Sequence, residues 1–263
     1  MAAVAAVPED TAFVPLPLLD LFEPRAVCND TAYGHTESIY PEAGLGDRGG
    51  NITFRVIGTS DFIDPSKCYF VMEGKFEGTM PVTDSAGTTT DTDISTIQNP
   101  RFSWVNMLPH AIFKSVDVSI NNQLITNNDT HYMFRNEIYT RLNNVQASLE
   151  RYYSMAGYFK DQDDPEAYTE ANNPALKLRR DTANDALTCF FAFDLATPFF
   201  QMNKALLSEC DIVITLRKND RPQFYMLHEN AAKIDFKITN LVLKVRKIGP
   251  MDSKRLQIEQ TLK

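Results

Sequence analysis

A chain of 263 residues and 29.7 kDa, 43% hydrophobic and 23% charged, has an ordinary globular composition. That excludes a disordered chain, a collagen and a coiled coil, and no run approaches the ~18 apolar residues of a membrane-spanning helix. The net charge of −8 is uneven, with 5 basic and 15 acidic residues in 1–100 (net −10) but 15 and 10 in 177–263 (net +5), so the front half is ill-suited to wrapping nucleic acid.

Residues 1–50 read as an extended arm. Pro8, Pro15, Pro17, Pro24 and Pro41 forbid a long helix, and Gly44, Gly46, Gly49 and Gly50 close the segment as a loop. The opening Met-Ala-Ala-Val-Ala-Ala-Val has no basic flank and meets Pro8, Glu9 and Asp10 at once, which is not a signal-peptide pattern. Synthesis in the cytosol with reduced thiols is therefore expected. The sequons at Asn29, Asn51 and Asn128 are then composition and not glycan sites. Within the arm Leu16, Leu18, Leu19, Leu21 and Phe22 cluster. Apolar side chains of that size are costly to leave in water, so these five are the candidate assembly residues.

From Asn51 the period changes to two. Ile52, Phe54 and Val56 alternate with Thr53, Arg55 and Ile57, and Cys68, Phe70, Met72 and Phe76 alternate with Tyr69, Val71, Glu73, Lys75 and Glu77. Both are half-buried strands. Residues 80–100 are rich in Thr, Asp, Ser and Gly and read as a long exposed loop. Val116, Val118 and Ile120 mark a third strand, Asn121-Asn122 a turn, and Leu124-Ile125 the return. Asp129 to Tyr153 is helical, capped by Asp129 or Thr130. Phe134, Ile138, Leu142, Val145, Leu149 and Tyr152 form one apolar stripe on it. Asn143-Asn144 is expected to break that region into two helices.

Residues 160–175 read as another acidic loop. Leu187 to Leu195, Ile212 to Leu216, Phe224 to Leu227 and Lys233 to Ile248 are strands. In the last, the inward face switches near Asn240 from Ile234, Phe236 and Ile238 to Leu241, Leu243 and Val245, which indicates a bulge. About eight strand segments without βαβ alternation make an all-β, antiparallel sandwich or barrel.

The chemical motifs are weak. Gly44-Leu45-Gly46-Asp47-Arg48-Gly49 matches a dinucleotide fingerprint by letters, but a Pro-rich arm precedes it and a strand follows, so it reads as a loop. Asp91 with Asp93, and Asp161 with Asp163 and Asp164, lack EF-hand spacing. Cys28, Cys68, Cys189 and Cys210 form no C-x-x-C pair, and His35, His110, His131 and His228 are isolated. Lys177 to Arg180 and Arg217 to Arg221 read as solvated basic loops, with an interface or phosphate contact as the alternative. No metal, no cofactor and no enzymatic activity are expected. The main competing reading is a β-sandwich binding module recognising a carbohydrate or protein ligand.

An ordered series of segments resembles one family. It comprises Leu18-Leu19-Asp20-Leu21-Phe22, Asn51-Ile52-Thr53-Phe54, Asp61-Phe62-Ile63-Asp64, Asn106 to Phe113 and Val116 to Asn121. Tyr132 to Leu142, Asp194 to Leu216 and Val242 to Lys247 complete it. The order and spacing, over roughly residues 18–255, are similar to the major capsid proteins of Polinton/Maverick elements and the related adintoviruses. The resemblance implies a double jelly-roll capsid protein whose trimers form pseudo-hexameric capsomers. The expected architecture is an antiparallel eight-stranded jelly-roll sandwich with a helical insertion. It divides into an extended N-terminal arm (1–50), the jelly-roll domain (51–250) and a tail or linker (251–263) towards a second roll. The family's chain carries two rolls, so this one is an N-terminal half, a truncated product or a single-roll relative. Its implied partners are itself, a second jelly-roll half, and penton and minor capsid proteins. No membrane span and no direct sequence-specific nucleic acid are implied. The implied location is the virion, after synthesis in the host cytoplasm.

Overall fold

The computed structural model describes residues 31–45, 50–85, 87–97, 102–126, 131–144, 149, 152–161, 174–183, 187–228 and 233–262. In chain order the strands are β1 (Thr31–Ile39), β2 (Asn51–Val56), β3 (Phe62–Thr83), β4 (Thr89–Asp93), β5 (Phe102–Trp104) and β6 (Phe113–Ile120). They continue with β7 (Gln123–Leu124), β8 (Thr188–Phe193), β9 (Ile212–Lys218), β10 (Met226–His228) and β11 (Lys233–Pro250). Helices among the described residues include α1 (Leu108–Ala111), α2 (Tyr132–Asn143), α3 (Pro174–Arg180) and α4 (Asp252–Leu262).

Every pairing is antiparallel. One sheet runs β1-β11-β3-β4, with β8 also paired to β3; the second runs β2-β9-β6-β7; β5 and β10 form a short third pair. The two larger sheets face each other across one core. Ile52, Phe54 and Val56 on β2 are buried, as are Ile212, Ile214 and Leu216 on β9. Opposite them lie Phe70, Met72 and Phe76 on β3, and Leu241, Leu243 and Val245 on β11. Phe54 meets Phe70 edge-on at 5.3 Å across the gap. Phe76 stacks on Trp104 at 4.5 Å and tilts against Phe236 at 4.9 Å. Such ring geometries are the favoured ones for aromatic pairs. Room for them comes partly from Gly74, where a Cβ would sit 2.2 Å from the Phe236 ring.

The expected all-β antiparallel jelly-roll class matches this architecture. Eight strands, β2, β3 and β6 to β11, occupy the predicted segments. Asn121 and Asn122 both have positive φ, 47° and 66°, as a two-residue hairpin turn requires. The bulge near Asn240 is present as a register slip between Ile238 and Asn240.

Three strands lie where the pattern gives no signal. β1 falls inside the predicted arm: Thr31 to Ile39 pairs with Pro250 to Leu243 along the edge of the first sheet. Its residues are almost all exposed, so no apolar alternation announces it. The predicted loop 80–100 is largely a hairpin. β3 runs on to Thr83, Asp84 accepts from the Thr88 amide at 2.9 Å to close the turn, and β4 returns. Threonine suits a strand by its branched Cβ, and this hairpin is held by backbone pairing and a Thr83–Thr89 hydroxyl contact at 2.9 Å. β5 is only three residues long, too short for a period to show. The predicted loop 160–175 ends in α3, and the tail 251–263 contains α4.

Candidate functional site

The helical insertion is the feature that departs furthest from a plain sandwich. α2 ends where the asparagine pair falls. Asn144 turns extended, and the amides of Asn143 and Asn144 donate to the Tyr139 and Thr140 carbonyls at 2.9 and 3.0 Å. Those side-chain bonds give the last-turn carbonyls additional donors where the helix stops.

Its orientation is the reverse of what the apolar stripe suggests. The buried row is Tyr132, Asn136 and Thr140, at 3%, 2% and 1% exposure. The stripe faces outward: Phe134 is 54% exposed, Ile138 59% and Leu142 79%. Tyr152 and Met155 just beyond are also exposed, whereas Leu149 is buried with Met107 and Tyr158 in a small satellite core. Val145, and the cap candidates Asp129 and Thr130, lie outside the described residues. The predicted single stripe is thus corrected. Tyr132, Asn136 and Thr140 share one face because they are spaced by four, and at its first turn that face meets His110. A hint was present in the sequence: Arg135, Glu137 and Arg141 are the only charges in the twelve residues, too few to make a solvated face.

The polar seat is built by α1. Tyr132 Oη lies 3.0 Å from His110 Nδ1, and the His110 ring meets Phe193 edge-on at 5.2 Å. Burial pushes the imidazole down to about 3. Burial likewise raises the Tyr132 phenol, with Asp194 adding to the shift and the Ala196 backbone and Arg135 opposing it. Arg135 donates to the Ala196 carbonyl at 3.2 Å. On the open side Arg141 pairs with Glu137 at 2.5 Å, one turn apart, beside the stripe.

A second polar cluster secures the return of the insertion. Arg179, 1% exposed on α3, donates to Asp161 Oδ1 at 2.8 Å. Asn106 donates to Asp161 Oδ2 at 2.6 Å and accepts from the Phe159 amide at 2.8 Å. Burial lowers the Arg179 guanidinium and the Asp161 carboxylate opposes that shift. The solvated reading of Lys177 to Arg180 is therefore corrected at Arg179. The same holds for Lys218 and Asn219, both buried; the Lys218 ammonium donates to the Phe236 carbonyl at 3.0 Å. Long basic side chains that bury their stems and keep a bonded head leave no trace in composition.

The candidate assembly residues Leu16, Leu18, Leu19, Leu21 and Phe22 lie outside the described residues, as do Cys28, Asp163 and Asp164. Among the described residues no group of three or more His, Cys, Asp or Glu is arranged to hold a metal ion. Burial pushes the Cys68 thiol up to about 11 and the Cys189 thiol up to about 12, so both are inert. No helix among the described residues is long and apolar enough to cross a membrane.

No family model matches the chain, and no curated protein matches it. Solved structures do. A chain of the Sputnik virophage, determined by cryo-EM, is 12% identical with a TM-score of 0.62, covering 95% of this chain and 53% of that one. VP54 of PBCV-1, fitted into a reconstruction of the virophage Sputnik, is 14% identical with a TM-score of 0.50, covering 90% and 46%. The mavirus major capsid protein is 10% identical with a TM-score of 0.47, covering 95% and 52%. The chain spans about half the length of the structures it matches. These neighbours are viral capsid proteins of the double jelly-roll type, and what the likeness to the first two establishes for this chain is the jelly-roll fold.

Proposed function

We propose that this chain is a structural capsid shell subunit that supplies one of the two rolls of a Polinton/Maverick-type major capsid protein. The observation that carries this reading is the likeness over 95% of the chain, at a TM-score of 0.62, to a chain of the Sputnik virophage that is about twice as long. The ordered series of segments from Leu18 to Lys247 supports the Polinton and adintovirus assignment. In this reading the role is mechanical and not catalytic. Sandwich walls stand side by side, the subunit trimerises with a second roll into pseudo-hexameric capsomers, and those meet penton and minor capsid proteins in the virion. The exposed apolar surface of the helical insertion fits such a role, because a subunit must keep contact surface in reserve for its neighbours.

The test is the mass and shape of the full 263-residue chain across a concentration series. Light scattering and negative-stain electron microscopy should show trimers, rings or shells. A monomer at every concentration, with no binding of a hydrophobic dye, overturns the assignment.

A further inference from the structure

We propose that His110 and Tyr132 form an acid-opened latch, in which protonation of the buried imidazole releases α2 from the sandwich while the sheets stay closed. His110 is 2% exposed, its ring lies edge-on to Phe193 at 5.2 Å, and its Nε2 has no hydrogen-bond partner among the described residues. Its Nδ1 lies 3.0 Å from Tyr132 Oη. A second proton on this ring would bury a cation with one nitrogen unpaired, which the interior does not tolerate. The titratable and charged side chains around it do not offset that cost. They are Tyr132 and Arg135 on α2, Asp194 just after β8, Tyr153 beyond α2 and the half-buried Lys114 at the start of β6. Asp194 is exposed, and burial is the one cause that displaces the imidazole from its ordinary range.

α2 depends on this latch more than the sandwich does. Its outward side chains Phe134, Ile138 and Leu142 are each more than half exposed, so its order rests on the inward row of Tyr132, Asn136 and Thr140. A helix of 12 residues is marginal in water without such packing, so α2 unwinds once it is released. The far end of the insertion is closed by different chemistry. Arg179 and Asn106 both bond the Asp161 carboxylate, at 2.8 and 2.6 Å, and that clamp contains no imidazole. Strands β2 and β9 in the second sheet carry no histidine either. Mild acid therefore acts at the α2 end of the insertion and spares the clamp and those strands.

Linkage sets the size of the effect. The imidazole titrates at about 3 with the latch shut and near its ordinary 6.5 with it open, so the opening equilibrium should rise about 25-fold from pH 7 to pH 5. Hydrogen exchange of the full chain, read by mass spectrometry and corrected for the pH dependence of intrinsic exchange, measures that equilibrium. Protection of peptides from Tyr132–Asn143 should fall about 25-fold relative to peptides from β2 and β9, and should return at pH 7. His110→Phe should remove the pH dependence. His131, exposed where α2 begins, is the rival trigger, because a cation there opposes the helix dipole. His131→Gln should leave the response in place. Unchanged protection of α2, an equal loss in β2 and β9, a response lost in His131→Gln, or one that persists in folded His110→Phe overturns the proposal. Should His110→Phe fail to fold at pH 7, the comparison of the wild type with His131→Gln still decides it.

Discussion

Tyr132 Oη sits 3.0 Å from His110 Nδ1 in the interior, and through that pair the helical insertion is fastened to the sandwich. α1 supplies the imidazole and the first turn of α2 supplies the phenol. His110 Nε2 is buried with no hydrogen-bond partner, so the ring sits comfortably only when neutral. A protonated ring would place a charge against Phe193 in a site where Asp194 and Arg135 act on the phenol from further off.

That geometry predicts acid sensitivity with a definite sign. The folded-state imidazole lies at about 3, below its ordinary 6.5, because burial disfavours the cation. Between those values the unfolded chain binds a proton that the folded chain does not. Stability is therefore full above about pH 6.5 and falls as the pH drops, by about 1.4 kcal/mol per unit in the steep region. Most ordinary carboxylates remain ionised down to about pH 5, so the decline from 6.5 to 5 isolates this ring. Urea midpoints measured at half-unit steps should show it, and His110→Phe should flatten the profile there even though it lowers overall stability. A flat wild-type profile from pH 6.5 to 5 would refute the assignment.

Arg179 and Asp161 should behave as a buried pair with unequal halves. Removing one member of such a pair costs about 3–5 kcal/mol when the other is left buried and charged. Asp161 keeps 15% of its side chain exposed and also accepts from Asn106, whereas Arg179 keeps 1%. Asp161→Asn, which strands the guanidinium, should therefore cost more than Arg179→Met, whose apolar stem suits the site. Denaturant unfolding of both variants and the double variant gives the comparison. The double should be more stable than the sum of the singles implies; strict additivity would mean that the pair does not couple.

Gly74 offers a test of the core. It pairs with Ile238 and Cys189 in register and lies against the Phe236 ring. Gly74→Ala should cost about 1–3 kcal/mol, since the methyl has nowhere to go. Phe236→Leu opens the space, so the loss from Gly74→Ala should shrink in that background. An equal loss in both backgrounds would place the clash elsewhere.

These residues also mark what a sequence reader sees. The alternation of Ile52, Phe54 and Val56, and the phase slip at Asn240, were legible because one sheet face is buried and a period of two records it. β1 was not, because both its faces are exposed and its order comes from the backbone ladder to β11. The stripe of α2 was found but turned inward, because periodicity reports that two faces differ and not which one meets the core. Here the buried row is Tyr132, which meets His110, with Asn136 and Thr140, and burial of polar residues leaves no hydrophobic mark. Arg179 was hidden for the same reason. Leu16–Phe22 remains an expectation of the sequence, since it lies outside the described residues.

The two faces of α2 should therefore respond to substitution in opposite ways. Ile138→Asn and Leu142→Gln remove apolar atoms that this subunit leaves more than half exposed, so the unfolding free energy from urea titration should change by less than about 0.5 kcal/mol while solubility rises. Tyr132→Ala removes a buried ring and leaves His110 without its phenol, which should cost about 3–5 kcal/mol. Were the outward stripe a core face, the ranking would invert, with Ile138→Asn and Leu142→Gln each costing several kcal/mol through buried unsatisfied amides. Far-ultraviolet circular dichroism at matched temperature separates loss of the helix from loss of the whole fold. A large destabilisation by Ile138→Asn together with a mild one by Tyr132→Ala would mean that α2 sits the other way round.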